Sequence, residues 1–462
     1  MKKISRIIAL LCLISLIFGI TACADTKPEI PPETPVETPD EIPSGIPPDR
    51  IHLVFSLWGG SDELETALAS LDEYNNQQDK VWITALQFPQ EEYGEQLLAL
   101  AAAEAMPDCG MVDERTTIGW ARVGLLLVYD IYAGAEHKPL DYLTFRDDGQ
   151  TVAYSVANEV LALWFNKDMF DEAGIDYPPA TLDKAWKWDE FIEVAKKLTF
   201  DANGLNPGTP GFDKNNIVQY GAYVNQWAWQ LEVWALSNGG RWYSEDGSSI
   251  VFDDAAIEAM QMVYDLHLVH HVAPLNKAEE DRGFLDSLGE GNVAMCTDGQ
   301  WATGFAAGLD INYGVGVLPY MKEKKNICAG GPVGIFATTQ HPAEAADFLK
   351  WYSDGENNFG PIFDGWWMPN NILWFTDETL LQRWIDDAPM RARLPASAYR
   401  TAVKDVALNT NVTQSAGWYY TPNTDQVDKI LIPALADAIS GRKTAKQVIE
   451  DVRPLLIDAL AG

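Results

Sequence analysis

Short apolar runs alternate with amphipathic segments where the folded part of the chain begins. Residues 51–57 (IHLVFSL) predict a strand, and a glycine turn and an amphipathic helix over 63–75 follow it. Further strands are predicted over 81–88 and 108–112, with a helix over 93–105 between them. This alternation is typical of a mostly parallel sheet, in which ligands bind beyond the carboxyl ends of the strands. The pattern therefore predicts an α/β fold.

The chain before residue 51 has a different pattern. Lys2, Lys3 and Arg6 precede an apolar run over 7–20, which is shorter than the roughly 20 residues of a spanning helix. The run ends in ITAC, which resembles a bacterial lipobox, so residues 1–22 are predicted to be a lipoprotein signal peptide and Cys23 the lipidated N-terminus. An ordinary cleavable signal with a chance cysteine is the alternative. Residues 23–50 are rich in proline and acidic residues and predict an extended tether.

Charge and cysteine usage argue against nucleic acid as a partner, a disulfide framework and a zinc site. The 462 residues include 33 Lys+Arg and 67 Asp+Glu, a formal net charge of -34, which repels nucleic acid and makes it a poor partner. Cys109, Cys296 and Cys328 are too few for a disulfide framework, so buried free thiols are expected, with a Cys296–Cys328 bridge as the alternative. No Cys/His spacing is typical of zinc, and neither a metal nor another cofactor is expected.

Six short motifs follow one another in the body of the chain, between residues 107 and 349. A strand over 158–166 ends in Asn166-Lys167-Asp168 and enters a helix that ends at Ala173-Gly174. The other motifs are PD at 107–108 with GLL at 124–126, NGG at 238–240, GNVAM at 291–295 with GQW at 299–301, YGVGVLP at 313–319 and HPAEAADFL at 341–349. Together they resemble the extracellular sugar-binding lipoproteins of ABC importers, the family that contains maltose-binding protein.

This resemblance implies a two-lobed periplasmic-binding-protein fold of type II, with a ligand cleft between the lobes and a helical C-terminal region. The chain would cross between the lobes near Asn158, Val315 and Gly360. Residues 51–158 and 315–360 would then form the N-terminal lobe, and residues 159–314 and 361–462 the C-terminal lobe.

The resemblance also implies a function. The protein would be a non-catalytic receptor that captures a neutral mono- or oligosaccharide by hinge closure and delivers it to the transmembrane subunits of an ABC permease. It would be held at the extracellular face of the bacterial cytoplasmic membrane by the lipid on Cys23, and a monomer is expected. A secreted glycan-active hydrolase is the alternative, because an acidic chain contains many carboxylate pairs.

A sugar site needs flat apolar surfaces for the C–H faces of the rings and polar groups for the hydroxyls. The chain has 17 Trp residues, several of them at predicted strand ends and loops. The resemblance places Trp301 and Glu159 at sugar-binding positions of the family, although Glu159 could equally stabilise the hinge. The predicted ligand contacts are Trp58, Asp62, Asp113, Arg115, Glu159, Gln226, Trp229, Asp298, Trp301, Trp366 and Trp367.

Each of these tryptophans has a packed core position as its alternative role. Helical or strand patterns predict core positions for five further tryptophans, Trp164, Trp186, Trp188, Trp351 and Trp384. Among the polar candidates, Asp298 could accept a hydrogen bond from ligand or cap a turn.

Two other patterns resemble metal-binding motifs, but each lacks a residue that the motif requires. His267 and His271 are one helical turn apart, but the Glu of an HExxH motif is absent and histidine suits a helix C-terminus. The segment DANG at 201–204 resembles the start of a calcium loop, yet Phe212 occupies the position of the bidentate Glu. A helix end and a solvated turn are predicted instead.

Overall fold

The computed structural model describes residues 46–59, 61–89, 92–136, 138–275, 284–306, 310–388 and 394–462, without the side chains of 61–63, 284–286 and 305–306. The predicted signal peptide, Cys23 and the tether up to residue 45 therefore lie outside the described residues. Within the described ranges, no helix is both long and apolar enough to cross a bilayer.

In the described part of the chain, the strands form two six-stranded sheets and one two-stranded sheet. In chain order they are β1 Ile51–Leu57, β2 Val81–Gln87, β3 Cys109–Met111, β4 Thr144–Asp147, β5 Gln150–Ser155, β6 Glu159–Asn166, β7 Phe200–Asp201, β8 Ile217–Gln219, β9 Tyr223–Val224, β10 Met295–Gly299, β11 Tyr313–Gly316, β12 Asn326–Ala329, β13 Pro332–Ile335 and β14 Thr413–Ser415.

Helices cover these sheets and make up most of the C-terminal region. The α-helices are α1 Ser61–Gln77, α2 Tyr93–Ala102, α3 Glu114–Arg122, α4 Lys167–Ala173, α5 Trp188–Lys197, α6 Ala228–Ser237, α7 Asp254–Leu268, α8 Phe284–Gly289, α9 Ala302–Ala306, α10 Pro342–Ser353, α11 Gly360–Phe363, α12 Leu373–Thr376, α13 Glu378–Leu381, α14 Ala396–Tyr399, α15 Asp405–Leu408, α16 Thr424–Ile439 and α17 Ala445–Ala461.

The first sheet has the strand order β2–β1–β3–β13–β5–β4. β1 pairs in parallel with β2 and β3, whereas β13 is antiparallel to both β3 and β5, and β4 is antiparallel to β5. The predicted mostly parallel sheet is therefore correct only for β1, β2, β3 and β5, which share one direction. β13 and β4 run in the opposite direction: β13 enters from β12 of the second sheet, and β4 is joined to β5 by a two-residue turn, which requires antiparallel pairing.

The second sheet is built around β6. Its order is β14–β12–β6–β10–β9, and β11 also pairs with β6. β10, β11 and β12 all run antiparallel to β6, while β9 is parallel to β10 and β14 is parallel to β12. After the partly exposed Glu159, every residue of β6 is buried, as expected for an apolar run in the centre of a sheet covered on both faces.

Two connections between these sheets lie side by side. β5 leads into β6 through residues 156–158, and β12 leads into β13 through Gly330 and Gly331. The backbone N–H of Val156 donates to the carbonyl of Gly331 at 3.1 Å. A Cβ atom on Gly330 would lie 2.4 Å from the carbonyl oxygen of Ala157, so this close approach requires glycine.

The second connection lies later in the chain than the sequence predicts. β11 contains Val315 and pairs with β6 in the second sheet, and β12 does the same, so the predicted change of lobe at Val315 is wrong. The pattern of short apolar strands does not distinguish the two sheets.

At the predicted third crossing, α11 packs on α1, and Thr66 Oγ1 donates to Asp364 Oδ2 at 2.9 Å. The chain joins the second sheet again only at β14.

Core packing agrees with most of the expectations for tryptophan and cysteine. Trp164, Trp188 and Trp384 are buried, whereas Trp186 and Trp351 are half-buried and contact the core from its edge. Cys109, Cys296 and Cys328 are buried, and none of them forms a disulfide within the described residues. The alternative Cys296–Cys328 bridge is absent because β6 separates their strands, and the two cysteines pair with Trp164 and Val160 of β6, so their Cα atoms are more than two strand spacings apart.

The turn from β6 into α4 follows the predicted motif. The Asn166 side chain caps α4 by accepting from the backbone N–H groups of Asp168 and Met169, and Gly174 ends the helix in the left-handed conformation with φ 64°. A side chain at Gly174 would be strained in this conformation although nothing lies within 4 Å of its Cβ position.

We expect Gly174→Ala to lower the free energy of unfolding by about 1 kcal/mol, because alanine disfavours positive φ. Gly94→Ala is the matched control: Gly94 lies in α2 with equally open space and no positive φ, so this change should leave stability unchanged or slightly raised. Urea unfolding of both variants tests the difference, and equal midpoints would contradict it.

Candidate functional site

A cavity of about 660 Å³ lies between the two large sheets. Val156 and Glu159 line it from one connection between the sheets, and Ala329 and Gly331 from the other. β1, β3 and β5 end at this edge of the first sheet, and β9, β10, β12 and β14 end at the facing edge of the second. The convergence of strand ends therefore explains why loop residues distant in sequence meet here.

Three tryptophans line the cavity from the side of the first sheet. Trp58 follows β1 directly, and its ring centroid lies 4.7 Å from that of Tyr93 in an edge-to-face arrangement. Trp366 and Trp367 follow α11, and the Trp367 ring packs edge-on against Tyr352 at 5.6 Å. These contacts hold the rings in fixed orientations, as a stacking surface requires.

Four more tryptophans form a cluster at the strand ends of the second sheet. Trp229 lies in the first turn of α6. Its ring centroid is 6.2 Å from that of Trp227, 5.9 Å from that of Trp301 and 5.4 Å from that of Trp418. Trp301 follows β10 and lies against Gly299, where a Cβ atom would be 2.0 Å from the ring. A glycine in this position therefore allows the indole to lie flat against the backbone.

A charged edge made of Asp113, Glu114, Arg115 and Asp428 completes the cavity wall. Asp113 caps α3, and its Oδ1 accepts from the backbone N–H of Arg115 at 2.9 Å and from its Nε at 3.0 Å. Arg115 Nη1 also lies 3.9 Å from Asp428 Oδ2 on α16. The guanidinium is thus shared between two carboxylates from different parts of the chain.

Desolvation raises the pKa of two carboxyl groups in this charged edge. It raises the pKa of Asp428 to about 7, although Arg115 opposes the shift. Desolvation, with a smaller effect of the neighbouring Asp113, also raises the pKa of Glu114. Together with Glu159, the described part of the wall contains four carboxyl groups and one guanidinium, and Asp428 and Glu114 ionise only towards neutral pH or above. The cavity therefore has no surplus of positive charge for an anionic ligand.

Most of the predicted contacts meet in this cavity. Those that line it are Trp58, Asp113, Arg115, Glu159, Gln226, Trp229, Trp301, Trp366 and Trp367. Asp298 is absent from the lining: it is buried beneath the wall, and its Oδ1 accepts from Gln230 Nε2 of α6 at 3.2 Å. The side chain of Asp62 lies outside the described residues.

Several lining residues were not predicted. Trp227 lies two residues before the predicted Trp229, and Trp418 lies in the last hundred residues of the chain, beyond the last of the six motifs. α16 contributes one face, formed by Asp428, Ile432, Leu435 and Ile439. The spacing of four, three and four residues is the signal that identifies such a face. The same signal does not reveal that the face is turned towards a cavity.

Two cavity-lining side chains carry buried polar atoms without a protein partner. Within the described ranges, Gln226 Oε1 and Trp418 Nε1 make no hydrogen bond, and their residues are 5% and 7% exposed. An unmade hydrogen bond of this kind costs about 1–3 kcal/mol. An acceptor and a donor are therefore available to a polar ligand after a small side-chain movement.

The patterns that suggested a metal form ordinary structural contacts. His267 Nε2 is hydrogen-bonded to the carbonyl of Ile439 at 2.6 Å, and His271 Nδ1 to the carbonyl of His267 at 2.9 Å. Asp201 is buried rather than solvated, and it accepts from three backbone N–H groups of its turn. No group of three His, Cys, Asp or Glu side chains suited to a metal occurs in the described part of the chain.

A family model described as bacterial extracellular solute-binding protein matches residues 60–358, more than half of the chain. The chain belongs to this family. Its members are extracellular or periplasmic binding proteins and are generally not enzymes. The resemblance inferred from the six sequence motifs is therefore confirmed.

Relatives and solved structures support the assignment. The arabinooligosaccharide-binding protein of Halalkalibacterium halodurans is 24% identical over 45% of this chain and 44% of its own length. The sn-glycerol-3-phosphate-binding periplasmic protein of Brucella abortus is 26% identical over 42% of each. The chain thus matches less than half the length of these curated relatives.

Structural similarity extends further. An ABC substrate-binding protein of Listeria monocytogenes in complex with cycloalternan has a TM-score of 0.73 at 17% identity, and the match covers 89% of this chain and 100% of that one. The predicted two-lobed binding-protein fold is therefore confirmed.

The buried carboxyl of Asp298 predicts a pH dependence of stability. Desolvation raises its pKa to about 7. Between about pH 4 and pH 7 the folded state holds a proton that the unfolded state has lost, so stability falls as the pH rises through this window, by at most about 1.4 kcal/mol per pH unit. We expect Asp298→Asn to lose this part of the dependence. Urea unfolding from pH 5 to pH 8 tests it.

Glu232 and Asp428, each with a pKa raised to about 7 by desolvation, remain in the variant and contribute slopes of the same sign as Asp298. Identical slopes for Asp298→Asn and the parent would contradict the prediction.

Proposed function

We propose that this protein is the receptor of an ABC importer that binds a neutral carbohydrate between its two lobes and delivers it to the membrane permease. The observation that carries the proposal is the lining of the cavity by Trp58, Trp227, Trp229, Trp301, Trp366, Trp367 and Trp418. Indole faces stack on the apolar C–H faces of sugar rings, and such contacts are worth about 0.5–1.5 kcal/mol each.

The polar groups between the tryptophans suit hydroxyl groups. Carboxylate oxygens accept from hydroxyls, and the amide of Gln226 can both donate and accept. A ligand that satisfies Gln226 Oε1 and Trp418 Nε1 also removes two unmade hydrogen bonds. A polyhydroxylated ring offers many donors and acceptors at once, which distinguishes it from a purely apolar ligand.

The charge of the wall favours a neutral ligand over a phosphate or a uronate. Arg115 is the cation of the lining, and Asp113 already binds it through two side-chain hydrogen bonds. Glu159 would repel an anion, and Asp428 and Glu114, whose pKa values desolvation raises, add to this repulsion as they ionise with rising pH. The alignment with a glycerol-phosphate-binding relative therefore does not extend to its ligand in this proposal.

Hydrolysis of glycans is the alternative function. Paired carboxylates serve glycosidases, but here Asp113 is ion-paired to Arg115 and α3 needs it as a cap. Because the family is generally non-enzymatic, binding without turnover is the simpler proposal. Residues 1–22 would be removed as a signal peptide, which makes Cys23 the N-terminus. The lipid on Cys23 would then hold the receptor at the outer face of the cytoplasmic membrane, close to its permease.

We expect a saccharide from a panel of mono- and oligosaccharides to raise the unfolding temperature, since a ligand at 100 times its Kd stabilises by about 2.7 kcal/mol. For the saccharide that binds best, Trp229→Ala, Trp301→Ala and Glu159→Ala should each raise Kd about fivefold or more, because each removes a contact of order 1 kcal/mol. Isothermal titration calorimetry measures these values.

Trp351→Ala is the matched control, since Trp351 is a half-buried tryptophan outside the cavity lining and should keep the parent Kd. New reducing ends after incubation with the same saccharides would favour the hydrolase. Parent-like binding by all three cavity variants would show that the ligand lies elsewhere.

Lipidation is tested separately in a bacterial host. We expect the parent to fractionate with membranes and to carry a diacylated Cys23 in mass spectra, whereas Cys23→Ala should lose the lipid and the membrane association. Cys12→Ala, within the apolar run, is the control and should remain lipidated. A parent protein that is cleaved at another position and lacks lipid would contradict the lipobox interpretation.

A further inference from the structure

Trp227 is unusual among the cavity tryptophans because half of it is exposed to solvent. Its exposed fraction is 49%, whereas Trp367 and Trp418 in the same lining are 6% and 7% exposed. Ile432 on α16 lines the same cavity and is also 49% exposed. A large apolar side chain at the mouth of a binding cavity is commonly a contact surface rather than a core element.

The ring of Trp227 continues the aromatic cluster outwards. Its centroid lies 6.2 Å from that of Trp229 with an interplanar angle of 34°, and Trp229 contacts Trp301 and Trp418 deeper in the wall. The cluster therefore extends from buried rings to an exposed one without a gap. A ligand that stacks on the inner rings and continues outwards reaches Trp227 next.

The backbone fixes the position of Trp227. Its N–H donates to the side chain of the buried Asn225 at 3.0 Å, and Asn225 is bound in turn to Thr297 of β10 at 3.1 Å. The carbonyl of Trp227 accepts from Gln230 and Leu231 in the first turn of α6. The backbone that carries this ring is therefore preorganised, which reduces the entropy lost on binding.

Resting on the carbohydrate function proposed above, we propose that Trp227 is an outer stacking site and that the ligand is an oligosaccharide rather than a monosaccharide. The inner rings bind the first sugar units, and Trp227 binds the face of a unit that extends beyond the mouth of the cavity. Trp227 thereby sets a preference for chain length without contributing to recognition of the innermost unit.

The test uses calorimetric titrations of the full chain with three linear series of one to four units, made of glucose as maltooligosaccharides, mannose and arabinose. In the series that binds, we expect Kd to fall with length beyond the first unit. Trp227→Ala should raise Kd about two- to tenfold for the longer members and leave the shortest binding member unchanged. Trp227→Phe, which retains an aromatic face, should restore most of the loss.

Leu455→Ala is the control for an exposed apolar side chain outside the lining, because Leu455 is 53% exposed on α17, and it should match the parent at every length. A parent Kd independent of length would overturn the outer site, as would a Trp227→Ala effect equal for all lengths or absent. Failure of these series and of the whole saccharide panel described above to bind would instead reject the carbohydrate function, and the outer site with it.

Discussion

The contact between the two connections from sheet to sheet determines the geometry of the whole cavity. Gly330 approaches Ala157 so closely that a side chain cannot be accommodated, and this contact keeps the two connections adjacent. Glu159 and Gly331 consequently face the cavity from its floor, and Trp58 lies beside Gly331. Since strand ends of both sheets are positioned by these connections, the aromatic walls are set by backbone packing rather than by the aromatic side chains themselves.

The cavity combines two demands that oppose each other. Tryptophan rings exclude water and strengthen stacking, but the same desolvation penalises the carboxylates between them. The raised pKa of Asp428, about 7, is the result of this conflict, and Arg115 moderates it by lying between Asp428 and Asp113. The strongly acidic composition thus affects ligand choice at this wall, because its carboxyl groups can bind hydroxyl groups but disfavour anions.

Local sequence patterns were sufficient for the family, for the first strands and helices, and for site residues that directly follow a strand. Trp58 and Trp301 are examples, because a strand end at a sheet edge predicts a cleft position. Asp298 has an equally suggestive place, but its side chain is turned beneath α6, and no pattern encodes that orientation. The position of Trp418 in the cavity depends on the pairing of β14 with β12, in which Asn326 lies opposite Thr413, 87 residues later in the chain. Such long-range pairings, like the true position of the second connection, depend on packing rather than on local pattern.

The segment that carries Trp418 also connects the two sides of the cavity. Glu232 of α6, which is buried, accepts from the backbone N–H of Gly417 at 3.0 Å. Two residues later, Tyr419 stacks on Phe145 of the first sheet, with ring centroids 4.1 Å apart. Because Trp418 lies between these two attachments, a change in the separation of the sheets must either move its ring or break one of them. The segment that carries Trp418 is therefore anchored to both sheets, on opposite sides of the cavity.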